Sequence, residues 1–201
     1  MHHLRKLGRI LATTLPLIAL VVSAANAQDA NVRPRFGLVV HGGAGTILPE
    51  HMTPELEAQY RGKMEEAIRA GYEILASGGT SLDAVVAAVT ILEDSPLFNA
   101  GKGAVFTHEG TNELDASIMD GRTRNAGAVA GVTRVKTPIL LARAVMEKSP
   151  HVMLAREGAE AFAVEQGLEM VDPSYFYTEH RWRALERARA AEKNRTSMRP
   201  D

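Results

Sequence analysis

The stretch Leu92-Glu93-Asp94-Ser95-Pro96-Leu97-Phe98-Asn99-Ala100-Gly101-Lys102-Gly103 decides how this chain is read. Upstream of it, Thr80-Ser81-Leu82-Asp83 has the form of a capping box. Leu82, Val85, Val86, Val89 and Leu92 then recur at helical spacing on a segment whose remaining face is mostly alanine, which predicts a helix buried on several sides. That helix must end before Pro96, because proline lacks the ladder donor and pushes the residue before it out of the helical region. The loop that follows carries apolar residues, and its main-chain carbonyls, released from helical bonding, are able to converge on a hard cation. A tightly packed loop serves the same pattern. Gly101-Lys102-Gly103 lacks the spaced first glycine and the following Ser or Thr of a phosphate loop.

Working outward, residues 36–40 are a short apolar, β-branched run that predicts a buried strand entering His41-Gly42-Gly43-Ala44-Gly45. Glycines there let main-chain donors approach an oxyanion or a carboxylate, although a plain strand-exit turn has the same composition. Thr53-Pro54 opens a long surface helix that stops at Gly78-Gly79. Short β-like pieces follow at 104–107, 113–119 and 126–135, with Asp120-Gly121 as the turn between the last two, so neighbouring antiparallel strands are expected rather than a βαβ repeat. Thr137-Pro138 opens another helix, 151–166 reads as a further one closed by Gly167, and Thr178 begins an amphipathic helix carrying Trp182 and Leu185. The whole is a layered α/β arrangement with fewer strands than its helices need.

Composition narrows the chemistry. Among 201 residues, 23 Lys+Arg against 24 Asp+Glu leave a net charge of −1, so no broad basic field for nucleic acid exists. The count of zero cysteines excludes thiol nucleophiles, thiolate metal sites and disulfides. No nucleophile elbow, zinc helix, Walker loop or dinucleotide fingerprint occurs. Residues 1–27 hold Arg5, Lys6 and Arg9 but no acid, then an apolar run from Ile10 to Val22 and Ala25-Asn26-Ala27, which reads as a signal peptide cleaved before Gln28. The run falls short of the ~20 residues a spanning helix needs. Residues 28–35 form a polar leader, and the expected setting is an exported, periplasmic protein with no membrane span after cleavage.

Several segments together carry a resemblance: 37–45, 96–106, Glu113-Leu114-Asp115-Ala116-Ser117-Ile118-Met119-Asp120-Gly121, Ala126-Gly127-Ala128-Val129-Ala130-Gly131-Val132, Pro138-Ile139, and Val145-Met146-Glu147-Lys148-Ser149-Pro150-His151-Val152. In this order they resemble the isoaspartyl peptidase/L-asparaginase family of plant-type asparaginases. The resemblance implies an αββα sandwich of the N-terminal-nucleophile hydrolase type, made as one precursor that cuts itself into α and β subunits. The β subunit's new N-terminal threonine is then the nucleophile, its amine serving as base, and two αβ units associate as (αβ)₂. The implied substrates are L-asparagine and β-aspartyl dipeptides. Residues 36–191 would be the α-subunit portion and 192–201 a mobile linker.

Position by position, the resemblance assigns main-chain carbonyls of Leu92, Glu93, Ser95, Phe98, Ala100 and Lys102 to a structural Na⁺. His41, Gly42, Gly43 and Asn99 fall beside the nucleophile. The Gly-Thr-Val-Gly segment that carries the family's nucleophile does not occur here. Gly79-Thr80-Ser81 and Gly110-Thr111-Asn112 lie inside the α-subunit pattern, and Thr196 follows Arg195 without a glycine. The threonine is therefore expected beyond Asp201, with no catalytic residue in this chain and no cofactor for catalysis. The expectation is an α subunit or truncated precursor, inactive by itself. Two other readings stay open, an inactive family remnant that binds a partner and a periplasmic binding module for an acidic ligand.

Overall fold

The computed structural model of the chain describes residues 36–43 and 52–197. The expected signal peptide and leader, together with residues 44–51 and 198–201, lie outside the described residues.

Local chemistry sets the helices. Helix α1 (Pro54–Ala76) begins at Thr53, whose side chain accepts from the Leu56 amide at 3.2 Å, with proline at the first position and Glu55 and Glu57 in the first turn. It stops where Gly78 takes φ 85°. Helix α2 (Ser81–Glu93) starts at Thr80, which accepts from the Asp83 amide at 3.1 Å and donates to the Asp83 carboxylate at 2.7 Å. The two helices cross closely at Gly71, where a Cβ would lie 2.8 Å from the Ala84 carbonyl oxygen.

Strands β1 (Leu114–Met119) and β2 (Ala126–Val132) pair antiparallel, as expected, around a turn that Asp120 organises by accepting from the Arg122 amide at 2.9 Å and the Thr123 hydroxyl at 2.8 Å. Helix α3 (Pro138–Lys148) then leads to β3 (Met153–Ala155), which pairs parallel with β2. This corrects two expectations: β2–α3–β3 is a βαβ unit, and the helix read over 151–166 opens only at Arg156 as α4 (Arg156–Glu165). The Ala128 amide donates to the Val152 carbonyl at 2.8 Å, so backbone that would have made the first helical turn is spent on the sheet. Helix α5 (Glu179–Ser197) continues through Glu192, the residue from which a linker was expected, along an Ala-, Arg- and Glu-rich run of high helix propensity.

Two other predicted strands do not form. Residues 104–107 are irregular, because asparagine side chains take their backbone groups: Asn99 Oδ1 accepts from the Val105 amide at 2.9 Å, and Asn112 Nδ2 donates to the Ala104 and Val105 carbonyls at 3.0 and 3.1 Å. Residues 37–43 have no strand partner among the described residues, and Val39 is 93% exposed rather than buried.

The three strands lie in the order β1-β2-β3. One sheet face carries Leu114, Ile118, Gly127 and Val129 and is covered by α3, which comes so near that a Cβ on Gly127 would sit 2.5 Å from the Met146 amide nitrogen. Ala159 and Ala163 of α4, with Phe176, close this core. Each large apolar side chain buried there contributes about 1.5–3 kcal/mol. A second cluster joins Ala67, Ala88, Leu92 and Phe98, with Val40 packed against it.

Arg156 opens α4 at φ 50°, a region that costs an L side chain about 1–2 kcal/mol. Its ion pair with Glu113 is long, 3.9 Å, and exposed. Arg156→Gly is therefore expected to stabilise the chain by roughly 0.5–1 kcal/mol after the entropy cost of glycine. A rise in the urea midpoint would show this, whereas an unchanged or lower midpoint would mean that the backbone there is unstrained.

Candidate functional site

The loop after α2 turns back on the helix end. Gly101 adopts φ 51°, and a Cβ there would overlap the Glu93 carbonyl oxygen and approach its Cα to 2.9 Å. At Gly103 a Cβ would overlap the Phe98 carbonyl oxygen and lie 2.8 Å from that of Pro96. Both glycines exist because main-chain oxygens crowd them, which the sequence did not disclose. The Leu92 carbonyl accepts from the Ser95 amide at 3.2 Å, and that of Ala100 from the Gly103 amide at 3.1 Å. The carbonyls of Glu93, Ser95, Phe98 and Lys102 accept no hydrogen bond among the described residues.

Glu93, Ser95 and Phe98 are 4%, 2% and 5% exposed. Buried carbonyls without partners cost about 1–3 kcal/mol each, so a set of them calls for a cation or water. All-oxygen, neutral donors suit a hard ion of low charge. Of the six positions assigned from the sequence, Glu93, Ser95, Phe98 and Lys102 keep a carbonyl without a hydrogen-bond partner among the described residues, whereas those of Leu92 and Ala100 each accept one.

Side chains from four elements hold this loop. From α1, the Tyr60 hydroxyl donates to the Leu97 carbonyl at 3.0 Å and its ring meets Phe98 edge-on at 5.6 Å. From α5, Arg181 Nε donates to the Gly103 carbonyl at 2.8 Å. A 3₁₀ turn, Pro173–Phe176, presents Tyr175, whose hydroxyl donates to Asp94 and whose ring lies 5.2 Å from Lys102 Nζ. Burial, with the bond to Asp94, pushes the Tyr175 phenol up to about 12, so it remains a donor. The fourth tie runs outward: Glu93 Oε1 accepts from the Ile139 amide at 3.0 Å, serving as the cap that Thr137 does not supply to α3. Glu93 Oε2 has no partner among the described residues, and burial, only partly opposed by the Ile139 amide, pushes this carboxyl up to about 8. Burial thus favours the neutral form of this acid.

The glycine segment lies against the same loop. A Cβ on Gly42 would be 3.3 Å from Phe98 Cε1 and 2.9 Å from Met64 Sδ, and Gly43 takes φ 102°. His41 Nδ1 accepts from the Gly43 amide at 3.2 Å, which folds the imidazole over its own turn. The structure therefore brings Gly42 onto the loop through Phe98, while Asn99 is fixed separately by the Val105 amide. Ala44 and Gly45 lie outside the described residues. His41, Gly43 and Asn99 are exposed. Tyr60, Tyr175 and Arg181 were missed by sequence reasoning, and no local signal marks them, since each acts across the fold. A separate open depression lined by His108, Glu109, Arg189, Glu192 and Lys193 contains none of the assigned residues. Among the described residues, no helix is long and apolar enough to cross a membrane.

Comparison with known proteins supplies the context. A family model described as asparaginase matches residues 34–201. The isoaspartyl peptidase of Salmonella typhimurium is 51% identical over 154 residues, 77% of this chain and 49% of that protein. The isoaspartyl peptidase of Escherichia coli is 49% identical over 152 residues, 76% of this chain and 47% of its own length. A plant-type L-asparaginase from Pyrococcus furiosus is 48% identical over 148 residues, 74% of this chain and 47% of its own length. The chain thus spans about half the length of the curated relatives it matches.

Proposed function

Because this chain belongs to the asparaginase family, we propose that it is the α-subunit portion of an isoaspartyl peptidase/L-asparaginase whose nucleophilic threonine is carried by a β subunit. One observation supports this reading above the others. Among the described residues the sheet is covered on one face only, and the register places Ser117, Met119, Ala126, Ala128, Ala130 and Met153 together on the other. Met119 and Met153 are 57% and 54% exposed there. An apolar sheet face gains stability when a second layer covers it, and a second sheet would complete the αββα sandwich. Residues 37–43, which have no strand partner among the described residues, would add to the same interface.

In such an assembly the threonine's own amine accepts the proton from its hydroxyl, the oxygen attacks the side-chain carbonyl of L-asparagine or a β-aspartyl dipeptide, and ammonia or the amine departs. Water then hydrolyses the β-aspartyl ester to release L-aspartate. In this reading His41, the Gly42-Gly43 turn and Asn99 would lie beside the incoming nucleophile. The carbonyls of Leu92, Glu93, Ser95, Phe98, Ala100 and Lys102 would hold Na⁺, which stiffens the loop and takes no part in the chemistry. Export to a periplasm and pairing as (αβ)₂ complete the proposal.

The 201-residue chain by itself is expected to release no ammonia from L-asparagine and no aspartate from β-aspartyl dipeptides. A coupled ammonia assay on the purified chain measures this, and turnover would contradict the α-subunit assignment.

A further inference from the structure

We propose that Tyr175 is a positioning residue that clasps the two ends of the 92–103 loop and thereby sets its affinity for a monovalent cation. The proposal rests on the reading that the loop carbonyls hold Na⁺.

Tyr175 reaches both ends of the loop at once. Its hydroxyl donates to Asp94, the residue that follows Glu93 in the chain, and the Lys102 ammonium sits over its ring at 5.2 Å. The Tyr175 side chain can serve as a fixed post because its neighbour Phe176 is 0% exposed in the main core and meets the Tyr175 ring edge-on at 5.2 Å. Closing a flexible segment costs entropy, and a clasp supplied by the folded core removes that cost from the binding step.

The ring has a second consequence. The Lys102 ammonium carries three donors and no acceptor, so when free it would fold onto the partnerless carbonyls of its own loop and compete with a metal ion. Over the phenol face it is held by the ring's quadrupole instead. Lys136 Nζ lies 6.0 Å from the same ring and is held by Glu169 at 3.0 Å, so it does not displace Lys102.

The test uses the full chain, titrated with NaCl against choline chloride at constant ionic strength, reading the Na⁺ dissociation constant by sodium-23 NMR relaxation and the melting temperature in parallel. Residues that orient ligands typically alter metal affinity about 10–100-fold. Tyr175→Ala is expected to weaken Na⁺ binding at least about tenfold by that measure. Tyr175→Phe, which keeps the ring and folds if any variant does, should lose less. Leu141→Val, a core change on α3, should lower the melting temperature and leave the Na⁺ constant unchanged. Wild-type affinity in Tyr175→Ala, or in Tyr175→Phe should the alanine variant not fold, overturns the clasp alone, as would an equal loss in Leu141→Val. Absence of any Na⁺ response in the wild-type chain overturns both the clasp and the cation-loop reading.

Discussion

Gly101→Ala is expected to lower the stability of the chain by roughly 3–5 kcal/mol. Two costs combine. Gly101 sits at φ 51°, where an L side chain is strained by about 1–3 kcal/mol. The added methyl also points into the Glu93 main chain, approaching its carbonyl carbon to 2.8 Å and its Cα to 2.9 Å, and a helix end cannot rotate away as a side chain can. Overpacking against such a rigid wall costs typically about 1–3 kcal/mol. Gly121→Ala is the control, because nothing lies within 4 Å of the place its methyl would take and its φ is ordinary, so it should change stability by only a few tenths of a kcal/mol. Urea denaturation of the two variants measures the contrast. Equal midpoints would mean that the loop does not close on the helix end as described.

Glu93 should make stability fall as pH rises. Its carboxyl titrates at about 8 in the folded chain against 4.5 for an unperturbed glutamate, chiefly because it is buried. Between those values the folded state binds a proton that the unfolded state has released, so unfolding becomes easier with each step upward in pH. Stability from this group is fully present below about 4.5 and is lost by about 8, a change on the order of a few kcal/mol. Glu93→Gln keeps an acceptor for the Ile139 amide and cannot ionise. In sodium-free buffer its unfolding free energy should be nearly flat from about pH 5 to about pH 8 relative to the wild type. Parallel slopes for the two proteins would contradict a buried neutral acid at this position.

What could be read from the sequence divides along a physical line. The starts of α1 and α2 were legible because Thr53-Pro54 and Thr80-x-x-Asp83 cap their own helices within one turn. The turn between β1 and β2 was legible for the same reason, since Asp120 bonds its own loop. Strand β3 was not, because residues 153–155 are held by β2, more than twenty positions away, and their composition suits a helix equally well. Residues 104–107 looked like a strand, yet Asn99 and Asn112 claim their hydrogen bonds. Residues 37–40 are strand-like in composition and lack a partner among the described residues. At the site, the break at Pro96 announced an unusual loop, whereas Tyr175 and Arg181 reach it from elements with no signature of their own.

The most direct test of the α-subunit assignment is reconstitution. The chain would be co-expressed with the half of the Salmonella isoaspartyl peptidase that it does not match, and release of aspartate from a β-aspartyl dipeptide measured. The proposal expects hydrolysis from the combined halves, none from this chain alone, and its loss when Met119 and Met153 on the open sheet face are replaced by lysine. Hydrolysis by this chain alone, or undiminished hydrolysis with both lysines in place, would contradict it.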